Sequence, residues 1–184
     1  MNPALLDRVR MIERDDENPY FEIVDGAIVM QPQKTVVSSM IASKLAFRLG
    51  SLGKASESGY VVIRALYCLT KKPDLMRRPE VGYVSNERWP RSRCFSHEAI
   101  EWDAVPNLAI EIINPQDFAV TVVQKVDEYF RAGVELVWVV HPKQQQIYVY
   151  ESTICVRILT EKDVLDGGKV LPQFRLPLKE LFQD

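Results

Sequence analysis

The run Asn107-Leu-Ala-Ile-Glu-Ile-Ile113 sets a carboxylate, Glu111, among apolar side chains that occupy both parities of a strand. A near-continuous apolar run of this length fits a central strand covered on both faces. An ionised carboxylate there costs several kcal/mol unless a cation pairs with it, a metal binds it, or it takes up a proton. The feature therefore calls for a covered sheet and for positive charge beside Glu111.

A chain of 184 residues suits one domain with one sizeable core, so residues 1–184 are read as a single domain. Within it, 1–18 form an N-terminal extension with a short amphipathic helix through Leu5, Leu6, Val9 and Ile12, and 85–106 form a long loop insertion. The net charge of −2 gives no global basic signal, so a nucleic-acid partner would have to meet a local patch. Cys68, Cys94 and Cys155 are odd in number and scattered, which excludes a disulfide framework and a Cys-rich zinc site and fits a reducing compartment. No stretch is long and apolar enough to span a bilayer and the N-terminus lacks a signal-peptide pattern, so a soluble, cytoplasmic protein is expected, with no membrane contact.

Tyr20–Val24 and Ala27–Met30 flank Asp25-Gly26, the sequence of a tight hairpin turn. From Pro32 to Gly50 the spacing predicts a helix with Val37, Met40, Ile41, Leu45 and Leu49 apolar, Lys44 and Arg48 basic, and Gly50 and Gly53 ending it. Tyr60–Leu69 reads as one strand, straight or bent, followed by a basic loop, and Pro79–Val84 as a short strand. After the Glu111 strand come a helix from Ala119 to Ala132 with Gly133 as its C-cap, and a buried strand, Glu135–His141. Ile147–Glu151 and Cys155–Thr160 form an antiparallel pair, Asp166–Lys169 a turn, and Leu178–Phe182 a last short helix. The order, roughly ββαββ(loop)βαβββ, predicts a mixed sheet flanked by helices in an α/β or α+β arrangement with an N-terminal β-hairpin.

Two acids lie on adjacent predicted strands, Glu80 and Glu111. If those strands pair, both carboxylates can reach one pole of the sheet and share a hard divalent cation; Mg2+ takes a few carboxylate oxygens, keeps several waters and leaves room for a phosphate. On a helical wheel Val122, Val123, Val126, Tyr129 and Phe130 make the buried arc, with Lys125 at its edge and Glu128 and Arg131 farther into solvent. Lys125 is then either an ordinary flank lysine or an ammonium that reaches toward Glu111. Lys71, Lys72, Arg77 and Arg78, with Arg88, Arg91 and Arg93, bracket the Glu80 strand as either phosphate contacts or a solvated face. Trp89, Phe95 and Trp102 are best read as pinning the long loop to the core, and His97 and His141 as structural.

Six segments occur in order: Tyr20-Phe-Glu-Ile-Val-Asp-Gly-Ala-Ile-Val-Met30, Arg78-Pro-Glu-Val-Gly-Tyr-Val84, Leu108-Ala-Ile-Glu-Ile-Ile-Asn-Pro-Gln-Asp117, Lys125-Val-Asp-Glu-Tyr129, Ala132-Gly-Val-Glu-Leu-Val-Trp-Val-Val-His-Pro142 and Leu171-Pro-Gln-Phe-Arg-Leu-Pro-Leu178. The series resembles the Uma-type family of endonucleases, which have the type II restriction-endonuclease-like fold of the PD-(D/E)XK superfamily, from about Tyr20 onward. The resemblance implies a restriction-endonuclease-like, nuclease-like domain that hydrolyses phosphodiester bonds in DNA with Mg2+ (or Mn2+) and no organic cofactor, and it suggests a homodimer. It places the metal-binding, catalytic acids on Glu80 and Glu111 and the catalytic lysine on Lys125, with Glu22 a further ligand or orienting group.

The chain departs from the family pattern in places. Ile113 stands where many superfamily members carry the lysine, so Lys125 has to serve. Glu80 replaces the usual aspartate and is one methylene longer; Ala27, Asn114, Thr121 and His141 are further differences. Two alternatives to the endonuclease therefore stay open: a catalytically weakened DNA-binding domain, and a protein-interaction domain in which Glu111 only salt-bridges Lys125.

Overall fold

In the computed structural model, which describes residues 9, 12, 20–52 and 58–183, the Asp25-Gly26 pair turns β1 (Phe21–Val24) back onto β2 (Ala27–Met30). Both turn residues have positive φ, 51° and 74°, as a type I′ turn requires. The segment expected through Leu5 and Leu6 lies outside the described residues. Val9 and Ile12 are described, and they pack in a small cluster with Phe21, Ile23, Leu66, Cys68 and Met76.

Helix α1 (Val36–Gly50) starts at Thr35, whose hydroxyl accepts the Ser38 N–H at 3.1 Å and so caps an otherwise unpaired backbone donor. Its buried line is Ser38, Ile41, Ala42, Leu45 and Leu49. Val37 and Met40, expected on the apolar face, are exposed, because the i, i+4 row of Ile41, Leu45 and Leu49 is the one turned to the sheet. Gly53, expected to help end the helix, lies outside the described residues.

The run Tyr60–Leu69 is not one strand. The chain breaks at Arg64, where φ is +53°, and divides into β3 (Gly59–Ile63) and β4 (Tyr67–Lys71), which join different sheets. The basic loop expected after it is a hairpin instead: β5 (Asp74–Arg77) pairs antiparallel with β4 and with β1. Leu75 and Met76 supply apolar contacts to this strand, and Arg77 at its end points into the interior, a placement that the neighbouring lysines and arginine disguise in the sequence.

Of the remaining elements, β6 (Val81–Ser85), β7 (Leu108–Ile112), α2 (Ala119–Ala132), β8 (Leu136–His141), β9 (Gln146–Tyr150), β10 (Val156–Thr160) and α3 (Leu178–Phe182) follow the expected order, whereas β11 (Val164–Gly167) and β12 (Leu171–Pro177) are a further antiparallel pair that the expected order lacks. Gly133 closes α2 with φ +97°, a left-handed conformation that a β-carbon would oppose.

The described residues form a six-stranded sheet in the order β10-β9-β8-β7-β6-β3, a four-stranded sheet β2-β1-β5-β4, and the pair β11-β12. Strands β7 and β8 are parallel, joined by α2, and the other neighbours in the large sheet are antiparallel. Alternation along β7 then sorts the core. Leu108, Ile110 and Ile112 face α1, α3 and β12, whereas Ala109 lies on the face of α2, β4 and the long loop. The central strand is covered on both faces, as its sequence demanded. On the second face Trp89, Phe95 and Trp102 pack with one another and with Tyr60 and Tyr67, pinning the irregular 85–106 connection. Among the described residues no helix is long and apolar enough to cross a membrane.

Gly82 is where β4 crosses close over β6. A β-carbon there would run into the hydroxyl and ring of buried Tyr67, whose OH has no hydrogen-bond partner among the described residues. Gly82→Ala should therefore lower stability by about 1–3 kcal/mol in denaturant unfolding. Adding Tyr67→Phe, which removes the nearest obstructing atom, should recover part of the loss. Wild-type stability in Gly82→Ala would contradict this packing.

Candidate active site

Glu22 on β1, Glu111 on β7 and Lys125 on α2 meet in the interior, where the side chains are 0%, 7% and 10% exposed. Lys125 Nζ donates to Glu22 Oε1 at 2.9 Å and lies 3.4 and 3.5 Å from the two carboxylate oxygens of Glu111. The ammonium thus bridges two sheets through two carboxylates. The wheel placed Lys125 at the edge of the buried arc, but it lies within it beside Val126 and Tyr129, while Val123 is turned to solvent. The helix is rotated toward the charged pair because two anions compensate the burial of one cation.

The site goes further than the sequence indicated. Tyr129 donates its hydroxyl to Glu111 Oε1 at 2.7 Å, fixing the carboxylate's orientation. Arg77 Nη1 donates to Glu22 Oε2 at 2.8 Å, and its Nε and Nη2 both reach Glu128 Oε2 at 2.6 Å. The backbone N–H of Arg78 and the amide of Gln31 complete the shell of Glu22, at 2.9 and 3.0 Å. Glu128, expected in solvent, is drawn in by Arg77. The i, i+4 pair Asp127–Arg131 stays on the outer face, with the Arg131 side chain 77% exposed.

Glu80 sits at the entrance to β6. The register pairs Val81 with Ile110, so Glu80 and Glu111 are the next residues along their strands and share one face. The Glu80 side chain is 4% exposed. It is held by Lys34 Nζ at 2.7 Å, with Arg64 Nε at 3.7 Å from its other oxygen. Neither cation was singled out by sequence pattern; Lys34 sits in a polar connection and Arg64 in the break between two strands, and both partnerships are non-local. Glu111, Lys125 and Lys34 line a cavity of about 390 Å³, together with Met30, Asp117, Phe118 and Thr121.

The electrostatics divide the two interior glutamates. Burial pushes the Glu22 carboxyl up, but the charges of Lys125 and Arg77 and the Arg78 N–H outweigh it and hold it below its ordinary range. For Glu111 burial wins: Lys125, the Tyr129 hydroxyl and Lys34 pull its pKa down, while neighbouring Glu22 pushes it up, and the net displacement is upward. Burial would discharge Lys125, but Glu111 and Glu22 raise its pKa, so it stays protonated and acts as a cation and donor rather than as a base.

Several of the basic residues read as either phosphate contacts or a solvated face are engaged within the fold. Arg77 is 3% exposed within the ion-pair network. Arg78 donates to the carbonyls of Phe21 and Arg64, and Arg88 to those of Val105, Pro106 and Gly133 and to Glu135. Each ties loops together, because buried carbonyls need donors and a guanidinium supplies five. Lys71, Lys72, Arg91 and Arg93 are exposed; Lys71 pairs with Asp103, and Arg93 lies over the Trp89 ring. His97 is exposed, and His141 packs on Tyr148 at 4.4 Å between ring centroids.

The chain matches the Uma2 family model, described as "Putative restriction endonuclease", over residues 6–179. A crystal structure from Anabaena variabilis, described as "a putative nuclease belonging to DUF820", is similar with a TM-score of 0.76 at 19% sequence identity, over 89% of this chain and 90% of that one. At that identity the likeness establishes a common fold. No curated protein matches the chain.

The opposite displacements of Glu22 and Glu111 predict opposite stability effects. A carboxyl held low in the fold stabilises above its ordinary value of 4.5, and the contribution is lost as pH falls through its folded pKa. Glu22→Gln should therefore cost about 3–5 kcal/mol at pH 7, since it takes from buried Arg77 and Lys125 one of the two anions that each faces, and the deficit should shrink in acid. A carboxyl held high favours folding below 4.5 and loses that contribution as pH rises through its folded pKa. The cost of Glu111→Gln, which takes an anion from Lys125 and a charged acceptor from Tyr129, should therefore shrink as pH rises from 4 to 8. Scanning calorimetry across this range reads both trends, and a Glu111→Gln deficit that grows toward pH 8 would contradict the assignment.

Proposed function

This chain belongs to the Uma2 family, and we propose from its site that it is a divalent-metal-dependent endonuclease that hydrolyses phosphodiester bonds in DNA. The observation that carries the reading is the opening of Glu111 and protonated Lys125 onto one cavity, with Glu80 beside Glu111 on the paired strand. A buried carboxylate kept on a central strand at a cost in stability is the mark of a group retained for chemistry.

The donor set fits a hard cation. Carboxylate oxygens suit Mg2+ or Mn2+, and the upward displacement of Glu111 marks a carboxylate whose burial its present partners do not fully offset. Among the described residues no group of three or more His, Cys, Asp or Glu is gathered as a metal site; in this reading Glu80 and Glu111 would be the protein ligands, with water and a substrate phosphate in the other positions. A magnesium ion held there would activate water and neutralise charge on the scissile phosphate. Lys125 supplies a fixed positive charge and N–H donors to the developing negative charge. Glu22 anchors the Lys125 ammonium, Arg77 keeps Glu22 ionised, and Tyr129 sets the Glu111 rotamer. The exposed Lys71, Lys72, Arg91 and Arg93 are the remaining candidates for phosphate contacts outside the site.

One observation favours a second reading, a nuclease-like domain that binds DNA without cutting it. The closest cation to Glu80 is the chain's own Lys34, so an ion pair takes the place of a metal contact. A supercoiled-plasmid assay separates the two. Mg2+-dependent nicking should occur in the wild type and fall at least about a hundredfold in Glu111→Gln and in Lys125→Ala, with both variants folded by circular dichroism. Undiminished nicking in either variant removes that residue from the mechanism, and DNA retention without nicking by the wild type selects the second reading.

A further inference from the structure

Lys34 reaches the site from the connection between β2 and α1. Gln31–Thr35 joins β2 to α1, and its direction is fixed at its end by the Thr35 cap. From there the Lys34 side chain folds back until only 9% of it is exposed, and its ammonium rests 2.7 Å from Glu80 Oε1. The other cation near Glu80, Arg64, is farther away and on the other oxygen. Lys34 also acts on Glu111, lowering its pKa against burial, so its charge is felt by both carboxylates. A protonated amine and a divalent cation at the same carboxylate oxygen repel each other at close range, so Lys34 and a metal compete for Glu80 Oε1.

The structure offers it a destination. Lys34 lines the site cavity and also an adjoining, shallow and largely open surface cavity of about 440 Å³ with Val36, Ser39, Met40, Ser43 and Lys44. A four-carbon stem can turn from one to the other by rotamer changes alone, laying its methylenes on Val36 and Met40 while the ammonium goes to solvent.

We propose that Lys34 sets the divalent-cation affinity of the site: it occupies Glu80 as an internal cation and is displaced into the adjoining cavity when a metal binds. The inference rests on the metal site proposed above. Closing Glu80 with an internal cation makes the free protein's binding-competent state a minor one, so apparent metal affinity is reduced by that fraction. Removing the competitor restores it.

The test is calorimetric titration of the whole protein with MnCl2, compared with Lys34→Met, Lys44→Met and the double variant Lys34→Met/Glu80→Gln. Lys44 donates to the carbonyls of Leu181 and Gln183 rather than to Glu80, so Lys44→Met removes an equal charge from the neighbourhood without freeing the carboxylate. Lys34→Met should bind Mn2+ at least about tenfold more tightly than the wild type, Lys44→Met should stay within about threefold, and the double variant should lose the gain. In parallel, acetylation of Lys34 by an N-hydroxysuccinimide ester, read by mass spectrometry, should rise severalfold at saturating Mn2+, while exposed Lys72 is unchanged. Equal Mn2+ affinity in wild type and Lys34→Met, or unchanged Lys34 labelling at saturation, overturns the proposal and leaves the metal site standing. Absence of Mn2+ binding from both overturns the metal site as well, whereas binding by Lys34→Met alone supports displacement.

Discussion

The ion-pair network centred on Lys125 is the interaction on which the rest of the site depends. One ammonium, buried between Glu22 of the small sheet and Glu111 of the large one, ties the two sheets together at the middle of α2. Each member is expensive to bury alone and tolerable only in company. That interdependence sets the rotation of α2, draws Glu128 inward to Arg77, and explains why β5 ends on an arginine whose side chain is interior. The hairpin β1-β2 is accordingly part of the site: it delivers Glu22, and the connection that follows delivers Lys34.

The network is not balanced at every point. Glu22 is over-compensated, with two cations and a backbone N–H around it, and is held ionised. Glu111 is under-compensated, sharing Lys125 with Glu22 and facing a cavity. A structural salt bridge would be satisfied on both sides. An acid with unmet demand for positive charge, opening on a cavity and set beside Glu80, is the feature on which the proposed metal role of Glu111 rests.

Much of this was legible in the chain, where the signal was local. The apolar run around Glu111 gave a central strand covered on both faces, Asp25-Gly26 gave the turn, and the span Ala119 to Gly133 gave α2 and its cap, because each depends on residues close in sequence. What escaped was non-local. Tyr60–Leu69 has uniform β-forming character, and nothing in it shows that Arg64 adopts a positive φ and hands the chain to a second sheet. Asp74–Arg77 looked like a basic loop, since a strand of four residues amid lysines and arginines carries almost no periodic signal. The wheel of α2 ranked Lys125 by its charge and set it at the margin; its partners lie 103 and 14 residues away in sequence. For Arg77, Arg78 and Arg88 the sequence left phosphate contact or a solvated face open for the same reason, whereas carbonyls and carboxylates of the fold engage them.

We propose that Glu80 and Glu111 together hold a divalent metal beside Lys125, and anomalous diffraction from crystals soaked in MnCl2 reads that metal's position. An anomalous peak should lie within coordination distance of both carboxylates, with the Lys34 side chain turned away from Glu80. An intact Lys34–Glu80 contact with no peak between the two glutamates, in crystals at saturating Mn2+, would contradict it.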